Sequence, residues 1–234
     1  ITACVFTSFF AARAMAEAEK LKIGFVSDIH AGGNKKRVTR GITIHPNKGV
    51  RILKRSVAEM KEKGADVIIA TGDLTNKGEK KYIKKLKKIQ GVLWVKGNHD
   101  GKSFNMLAER YYFRDYDDYR IIILDSSALF TKKSGGLDQV QIEFLKQSEN
   151  TEKKVIIAMH HPIFYENSFQ YLEVYQEFRD ALTSNVKMIA SGHWHTNWKL
   201  ERDGILFEGV PALTTKVGGY KIISLPTPVM TESY

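Results

Sequence analysis

The sequence contains a series of short runs, rich in Val and Ile, in which consecutive positions are apolar, and these runs limit the folds that the chain can adopt. Strands covered on both faces of a sheet have this continuous pattern, whereas half-exposed strands alternate. We therefore predict strands over residues 21–27, 65–71, 92–96, 119–124, 154–159 and 186–190. Apolar residues at helical spacing between them predict helices over residues 48–63, 78–90, 102–110, 137–149 and 169–182.

The last part of the chain has a different pattern. Residues 197–210 predict a hairpin that turns at Asp203-Gly204, and residues 219–225 predict a final strand. The alternation of strands and helices before this tail indicates a layered α/β fold. It would contain one mixed sheet, or two sheets packed together, flanked by helices.

Polar clusters follow five of the apolar runs, at the point where each run ends. Ligands of open α/β sheets bind outside the carboxyl ends of the strands, so these clusters are expected to converge on one crevice. Six of the seven histidines lie in them, and only His45 lies elsewhere. A packed core does not require ionisable residues at such repeated positions, so the pattern indicates a functional site. The clusters are Asp28 and His30, Gly72-Asp73, Gly97-Asn98-His99-Asp100, His160-His161-Pro162 and Gly192-His193-Trp194-His195.

The side chains of these clusters carry the oxygen and nitrogen donors that Zn²⁺, Mn²⁺ and Fe accept. Asp28 and His30, like His193 and His195, are two residues apart, which in extended backbone directs both side chains to one side. A glycine stands directly before three of the candidate ligands. We expect each glycine to permit close approach of the backbone to an ion or substrate.

Composition limits the class of protein and the kind of partner. The chain has 234 residues, of which 43% are hydrophobic, and one cysteine, so we expect a core that needs no disulfide. No stretch reaches the ~20 apolar residues that span a bilayer, so we predict no integral membrane segment. The net charge of +10 favours an anionic partner, which could be a phosphorylated metabolite, a nucleic acid or a lipid headgroup.

Residues 1–20 are predicted to be an N-terminal extension of a single domain over residues 21–234. In one interpretation, residues 1–16 are a truncated secretory signal, with Ala14-Met15-Ala16 as the cleavage site, and the protein is secreted or periplasmic. In the interpretation that we favour, the native chain starts at Met15 and the protein is cytoplasmic. The segment ending at Cys4 also resembles a lipoprotein box.

Taken in order, the clusters resemble the motifs of the calcineurin-like metallophosphoesterase superfamily, which are D-x-H, G-D, G-N-H-[DE], H and G-H-x-H. The resemblance covers residues 21–225. It implies a four-layer α-β-β-α sandwich of two mixed β-sheets flanked by helices. It also implies a metal-dependent phosphoric ester hydrolase, either a phosphodiesterase or a phosphatase. The motifs are Asp28-Ile29-His30, Gly72-Asp73, Gly97-Asn98-His99-Asp100, His160 and Gly192-His193-Trp194-His195.

The same resemblance implies a dinuclear metal centre, in which two ions of Mn, Fe or Zn share Asp73. A hydroxide that bridges the metals would attack the phosphate ester in line, without a nucleophilic side chain. His99 would lie near the leaving oxygen as a general acid or charge-stabilising donor, and Asp100 would orient it. Carried over by position, the first ion takes Asp28, His30, Asp73 and His195, and the second takes Asp73, Asn98, His160 and His193.

Departures from other members narrow the resemblance. Asn76 and Lys77 stand where protein Ser/Thr phosphatases carry an Asp-Arg pair, and Asn76 also replaces the tyrosine of purple acid phosphatases. The G-D-L-T-x-x-G stretch and the H-H-P motif are similar to those of small bacterial and archaeal phosphodiesterases, including the cyclic nucleotide phosphodiesterase-like group. We assign the metal ligand to His160 rather than His161, because the family ligand lies two residues before a proline.

The substrate would be a phosphorylated small molecule or a nucleotide, and hydrolysis of phosphodiesters is the leading hypothesis. A nuclease or a phospholipid-headgroup phosphohydrolase is the enzymatic alternative, which the charge of +10 motivates. A metal-free scaffold or binding module on the same fold is the non-enzymatic alternative. Substrate contacts are expected from Asn98, His99, Trp194, Lys35 and Arg37, of which the last two lie in a basic loop.

Overall fold

The computed structural model describes residues 21–39, 41–128, 135–165, 169–170, 175–215 and 218–225. The extension predicted over residues 1–20 lies outside the described residues. The strands are β1 (Leu21–Val26), β2 (Arg37–Thr39), β3 (Ile42–Ile44), β4 (Val67–Ala70), β5 (Val92–Trp94), β6 (Tyr112–Tyr116), β7 (Tyr119–Ile123), β8 (Lys154–Ala158), β9 (Phe164–Tyr165), β10 (Phe169–Gln170), β11 (Val186–Ser191), β12 (Trp198–Arg202), β13 (Ile205–Gly209) and β14 (Lys221–Leu225). The α-helices are α1 (Gly49–Glu62), α2 (Lys80–Leu86), α3 (Gln139–Ser148) and α4 (Tyr175–Ala181), and 3₁₀ helices lie at Pro46–Lys48 and Gly101–Met106.

Ten of these strands build two mixed sheets. The four-stranded sheet has the order β14-β1-β4-β5, in which β14 is antiparallel to β1 and the other neighbours are parallel. The six-stranded sheet has the order β12-β13-β11-β8-β7-β6, with four parallel inner strands and an antiparallel strand at each edge. The pairs β2-β3 and β9-β10 form short hairpins.

The strands divide their side chains between two cores, which explains why the runs are continuously apolar. In β4, Val67 and Ile69 lie in the core between the two sheets, whereas Ile68 and Ala70 pack in a core with α1 and α2. Strand β8 divides its side chains in the same way between the inter-sheet core and a core formed with α3 and α4. The predicted four-layer α-β-β-α sandwich is therefore confirmed.

Helix α1 follows the predicted pattern closely. Its buried face carries Leu53, Val57 and Met60, which recur at helical spacing. Gly64 follows with φ of +80°, the left-handed conformation that commonly ends a helix. The predicted hairpin in the tail is also confirmed, because Asp203 and Gly204 join β12 to β13 with positive φ at both positions.

Two predicted helices differ from the structure. Residues 102–110 were expected to be helical, but the chain forms only the 3₁₀ helix Gly101–Met106. Asp100 stands at its N-cap without a capping hydrogen bond, and a short helix without a cap is marginal. Within the predicted helix 169–182, Phe169–Gln170 form a strand that pairs with β9, and α4 covers only Tyr175–Ala181. No helix of the described chain has the length and apolarity that crossing a bilayer requires.

Candidate metal centre

The predicted ligands meet at the carboxyl ends of strands from both sheets. Asp28 and His30 follow β1, and Asp73 follows β4, so the four-stranded sheet presents them at one edge. His160 follows β8, and the pair His193 and His195 follows β11, so these come from the six-stranded sheet. Candidate ligand atoms from the two sheets lie within 4.8 Å of one another in two groups of three, Asp28 with His30 and His195, and Asp28 with Asp73 and His160. The convergence that the strand-end pattern predicts is therefore present.

One group consists of Asp28, His30 and His195, all buried. The Nε2 atom of His195 lies 3.1 Å from Asp28 Oδ1 and 3.2 Å from His30 Nε2. The other oxygen of Asp28 accepts hydrogen bonds from Ser27 Oγ at 2.6 Å and from the His193 backbone N–H at 2.9 Å. One carboxylate oxygen therefore faces the two imidazoles, while the other fixes the loop that carries His193.

Asp73 lies between this group and a second one. Its Oδ2 atom is 3.6 Å from His30 Nε2 and 3.4 Å from His160 Nε2. His193 Nδ1 lies 3.3 Å from His160 Nε2. Asn98 Oδ1 is a buried acceptor that has no hydrogen-bond partner among the described residues. A carboxylate shared by two groups of donors, together with an orphaned amide oxygen, fits a pair of bound cations.

The hydrogen bonds of His160 and His161 give these neighbours different roles. His160 Nδ1 lies 2.8 Å from the carbonyl oxygen of Thr71, which can only accept, so His160 Nδ1 carries a hydrogen and Nε2 is the nitrogen that could bind a metal. Ser126 Oγ accepts the backbone N–H of His161 at 2.9 Å and lies 3.0 Å from His161 Nδ1. The Ser126 contact engages His161 Nδ1, whereas the Thr71 contact leaves His160 Nε2 3.4 Å from Asp73 Oδ2. A donor atom of His161 also lies within 4.8 Å of donor atoms of His160 and His193, but the contact with the shared carboxylate favours His160 as the ligand.

The ligand loops have an unusual backbone conformation. Of seven non-glycine residues with positive φ in the described chain, five are predicted ligands, with φ between 47° and 70°. The expectation that extended backbone aligns the ligand pairs is therefore wrong, because each pair adopts left-handed conformations instead. Such residues cost on the order of 1–3 kcal/mol each and persist where the surrounding structure holds them. The five are Asp28, His30, Asp73, His193 and His195.

The glycines of the motifs serve contacts between the loops themselves. A Cβ at Gly192 would lie 1.9 Å from Ser27 Oγ and 2.8 Å from Asp28 Oδ2. Gly72 has φ of +95°, and a Cβ there would lie 2.5 Å from His160 Nδ1. We expected these glycines to admit an ion or substrate, but what they admit is the neighbouring ligand loop. The ligand residues can meet because no side chain stands between their loops.

The electrostatics of the site follow from burial and from the carboxylates. Burial opposes the charged form of Asp73, but the imidazoles of His160, His30 and His99 together outweigh this effect and hold the pKa of Asp73 well below its usual range. Burial likewise opposes the charged form of His160, yet the carboxylates of Asp73 and Asp28 and the Thr71 carbonyl together raise the pKa of His160 to about 9. Burial lowers the pKa of His30 to about 4, so its imidazole is neutral and has a lone pair that can bind a metal. A metal ion bound here would displace the His160 proton.

His99 lies beside the metal ligands and is partly open to solvent. Its backbone N–H donates to Asp73 Oδ1 at 2.8 Å, and its Nδ1 donates to the carbonyl oxygen of Asn76 at 2.9 Å. The Nε2 atom, 3.9 Å from Asp73 Oδ2, faces the shared carboxylate. The side chain is 29% exposed. A proton on Nε2 can therefore be exchanged with a group bound next to the metal ligands.

The expected role of Asp100 as the residue that orients His99 differs from what the structure shows. The Asp100 carboxylate accepts from the Thr75 backbone N–H at 2.8 Å and from Thr75 Oγ1 at 3.0 Å. It also accepts from the Gly97 and Leu74 backbone N–H groups at 2.9 and 3.2 Å. Burial raises the pKa of this carboxyl to about 7. Asp100 thus joins two ligand-bearing loops through their backbones, and the Asn76 carbonyl orients the His99 ring.

The residues predicted to contact substrate are placed differently from one another. A pocket of about 560 Å³ contains Arg37, Asn98 and His99 in its lining. Lys35 is exposed and is not among the lining residues that the structure describes. Trp194 is half-buried, and its ring packs edge-to-face against His193 at 5.8 Å. The full lining consists of Asn34, Arg37, Asn76, Lys77, Asn98, His99 and Gly101.

Sequence analysis predicted no role for three residues that organise the site. Thr71 fixes the His160 ring, Ser126 fixes His161, and Asn76 fixes His99. A signal was present for Ser126, because it follows the end of β7 as the ligands follow their own strands. Thr71 and Asn76 hold the two imidazoles through backbone carbonyls, which every residue has, so their side-chain types did not predict these contacts.

An ion pair supports the loop that carries Asn98. Asp125 is fully buried and accepts from Lys96 Nζ at 3.0 Å and Arg110 Nε at 2.8 Å. Lys96 directly precedes the Gly97-Asn98-His99-Asp100 loop. Because a buried carboxylate without its cations would be costly, this contact fixes where the loop leaves β5.

Comparison with known proteins agrees with this geometry. A family model described as calcineurin-like phosphoesterase matches residues 21–197. A protein of Vesicomyosocius okutanii subsp. Calyptogena okutanii named "Probable cyclic nucleotide phosphodiesterase" is 26% identical over 205 residues, which are 80% of this chain and 84% of that protein. An Arcobacter nitrofigilis protein named "Probable glycerophosphodiester phosphodiesterase" is 32% identical over 159 residues, which are 58% of this chain and 55% of that protein.

The fold is also similar to that of solved structures. A dimetal phosphatase from Danio rerio superposes with a TM-score of 0.70 at 12% sequence identity, covering 86% of this chain and 91% of that one. A purple acid phosphatase from yellow lupin superposes with a TM-score of 0.56 at 11% identity, covering 88% of this chain and 46% of that one. At these identities the likeness concerns the fold alone.

Proposed function

This chain belongs to the calcineurin-like phosphoesterase family, and from that membership we propose that it is a dinuclear metal-dependent phosphodiesterase. The coarser statement, that the protein is a phosphoester hydrolase, follows from the family itself. The preference for diesters is supported by the names of its relatives, since both of those described above are named "Probable" phosphodiesterases.

The observation that carries the proposal is the position of Asp73. Its Oδ2 atom lies 3.6 Å from His30 Nε2 on one side and 3.4 Å from His160 Nε2 on the other. A carboxylate has two oxygens and can serve two cations, whereas a single mononuclear site would leave one group of imidazoles without a role. The donor types suit Mn, Fe or Zn.

Two such ions, when bound, supply a hydroxide nucleophile at neutral pH and stabilise the charge that develops on the phosphoryl oxygens. Part of the donor set is held in place by the protein itself, because buried hydrogen bonds fix the His160 ring and the Asp28 carboxylate, and five of the proposed ligands lie in left-handed loops. The residues that would hold the first ion are Asp28, His30, Asp73 and His195, and those for the second are Asp73, Asn98, His160 and His193.

His99 would move the proton to the leaving oxygen. Because the Asn76 carbonyl can only accept, His99 Nδ1 keeps its hydrogen, and any further proton must reside on Nε2. Nε2 lies 3.9 Å from Asp73 Oδ2, and His99 is one of the residues that line the pocket. The imidazolium form can therefore protonate the leaving oxygen, after which the neutral ring retains its hydrogen bond to Asn76.

A nuclease or a phospholipid-headgroup phosphohydrolase is a second candidate, which the net charge of +10 favours. When a polyanionic substrate contacts several cationic side chains, the counterions that were condensed on the polyanion are released. Its binding therefore weakens steeply as the salt concentration rises. Activity on single-stranded DNA or anionic vesicles that falls far more steeply with added NaCl than activity on a small diester would support this candidate.

The test is an assay of chelator-treated protein reloaded separately with Mn²⁺, Fe²⁺ and Zn²⁺. It compares p-nitrophenyl phosphate, bis(p-nitrophenyl) phosphate, 3′,5′-cyclic AMP and single-stranded DNA. We expect a diester to be the best substrate. Asp73→Asn should lower turnover more than about 100-fold, since loss of even an outer partner of a metal ligand costs 10–100-fold.

His45→Ala is the matched control, because His45 is the histidine outside the strand-end clusters and its Nδ1 lies 3.1 Å from the Lys35 carbonyl oxygen. It should retain wild-type metal content and turnover. A preference for the monoester by orders of magnitude would refute the diester proposal. Protein that takes up no metal and hydrolyses none of the four compounds would instead support a scaffold.

A further inference from the structure

The pocket beside His99 is cationic as well as polar. It has a volume of about 560 Å³ and contains the side chains of Arg37 and Lys77 in its lining. The other lining residues are three asparagines, one glycine and His99 itself, so no carboxylate and no large apolar side chain lines it among the described residues.

The two cations of this pocket are not neutralised by the protein. Neither Arg37 nor Lys77 lies within ion-pair distance of a carboxylate in the part of the chain that the structure describes. The nearby Glu79 carboxylate accepts from the Lys77 backbone N–H at 2.8 Å and is not a lining residue. Two unpaired cations that share one cavity attract an anion.

Asn76 forms hydrogen bonds with both the Arg37 guanidinium and the His99 ring. Its side-chain Oδ1 accepts from Arg37 Nη1, and its backbone carbonyl accepts from His99 Nδ1. Asn76 is itself 2% exposed, so it is fixed by its surroundings. One buried residue therefore holds both Arg37 and His99, and the two line the same pocket.

We infer that the Arg37 and Lys77 pocket binds a second anionic group, such as a carboxylate or phosphate, carried by the leaving part of the substrate. The inference rests on the proposed function, because it names the class of ester that the same site would hydrolyse. Arginine binds carboxylate and phosphate through two parallel hydrogen bonds, and lysine adds a point charge. Arg37 and Lys77 would thus determine specificity, without taking part in the bond change itself.

The test uses two methyl aryl phosphodiesters whose leaving phenols differ only in a para-carboxylate or a para-carboxamide. Wild type, Arg37→Gln, Lys77→Gln and the control Lys84→Gln are reloaded with metal and assayed at low, constant ionic strength. Lys84 is exposed on α2 and is not a lining residue, so its variant makes the same charge change outside the pocket. Ratios between the substrates cancel the different reactivities of the phenols.

We expect Arg37→Gln to lower kcat/KM about tenfold or more for the carboxylate ester relative to the carboxamide ester, as loss of a charge-assisted hydrogen bond predicts. Lys77→Gln should act in the same direction with a smaller effect, and Lys84→Gln should leave the ratio unchanged. Equal losses on both esters would overturn the inference, because Arg37 would then act on the scissile phosphate. Unchanged ratios in both pocket variants would overturn it as well.

A binding measurement separates this inference from the proposed function. Isothermal titration of the two leaving phenols, 4-hydroxybenzoate and 4-hydroxybenzamide, into metal-loaded protein measures affinity without hydrolysis. A preference for the carboxylate that Arg37→Gln abolishes would support the pocket even if no ester were hydrolysed, in which case only the phosphodiesterase proposal would fail. Equal affinity of wild type for the two phenols would overturn the pocket, whatever the turnover.

Discussion

The adjacent residues His160 and His161 offer a sharp test of the metal centre, because both are fully buried and differ mainly in their hydrogen bonds. His160 Nε2 lies 3.4 Å from Asp73 Oδ2 and 3.3 Å from His193 Nδ1. We expect His160→Ala to remove a ligand of the second ion. His161→Ala should leave all the ligands of that ion in place.

The magnitude follows from what each side chain contacts. Replacing an outer partner of a metal ligand typically weakens metal binding 10–100-fold. His160 is one of four proposed donors to the second ion, so its loss should cost at least about 100-fold, or ~2.8 kcal/mol. His161 packs against the His193 ring at a centroid distance of 4.4 Å, so its loss should cost about tenfold at most.

The assay is metal content after loading with Mn²⁺ and gel filtration, measured by mass spectrometry of the metal, with circular dichroism to confirm folding. Wild type and His161→Ala should each retain two ions per chain, and His160→Ala should retain one. His45→Ala serves as the control for losing a histidine. Loss of an ion from His161→Ala, with full content in His160→Ala, would refute the assignment drawn from the Thr71 and Ser126 hydrogen bonds.

Three further predictions concern packing, ion pairing and protons. Gly192→Ala should destabilise the fold by about 1–3 kcal/mol in urea unfolding, because its Cβ would lie 1.9 Å from a hydroxyl oxygen; an unchanged midpoint would show that the loops are not packed as described. Asp125→Ala should cost about 3 kcal/mol, since it leaves two cations without their buried partner, whereas Glu59→Gln in an exposed pair should cause no measurable change. Metal binding should release protons near pH 7, because His160 with a pKa of about 9 is protonated before binding. The affinity of the site for metal should therefore fall as the pH is lowered. Calorimetry in buffers of different ionisation enthalpy would detect the released protons, and a binding enthalpy that does not depend on the buffer would contradict the prediction.

The strands were the most predictable part of the fold. All six apolar runs are strands, because continuous apolarity is a local consequence of burial on both faces. The edge strand β6 escaped prediction, since Phe113, Arg114 and Asp115 in its middle are exposed and do not form an apolar run. The α-helix predicted over residues 102–110 does not form, and the reason is a contact with a distant segment. Its natural cap, Asp100, is held by backbone groups at Leu74 and Thr75, about 25 residues away along the chain.

Some features of the candidate site could also be predicted from the sequence, and others could not. The residues that converge at the site could be predicted, because polar residues recur at the ends of buried strands, and their role as metal ligands stays a prediction. The backbone conformation and the contacts of these residues could not be predicted. Asp28 adopts positive φ and accepts a hydrogen bond from the backbone N–H of His193, which is 165 residues later in the chain. The cationic pocket depends likewise on a contact between Arg37 and Asn76, which are 39 positions apart.

The side chains that reach the site, and their order along the chain, could be predicted from the sequence, because strand formation and strand ends depend on short-range patterns of apolar residues. Three other features could be seen only in the folded molecule: the imidazole nitrogens that are available to bind, the loops that adopt left-handed conformations, and the cations that have no carboxylate partner. Each of these depends on one partner atom contributed by a distant segment. The position of such an atom follows from the packing of the two sheets, and not from the residues beside it in the chain.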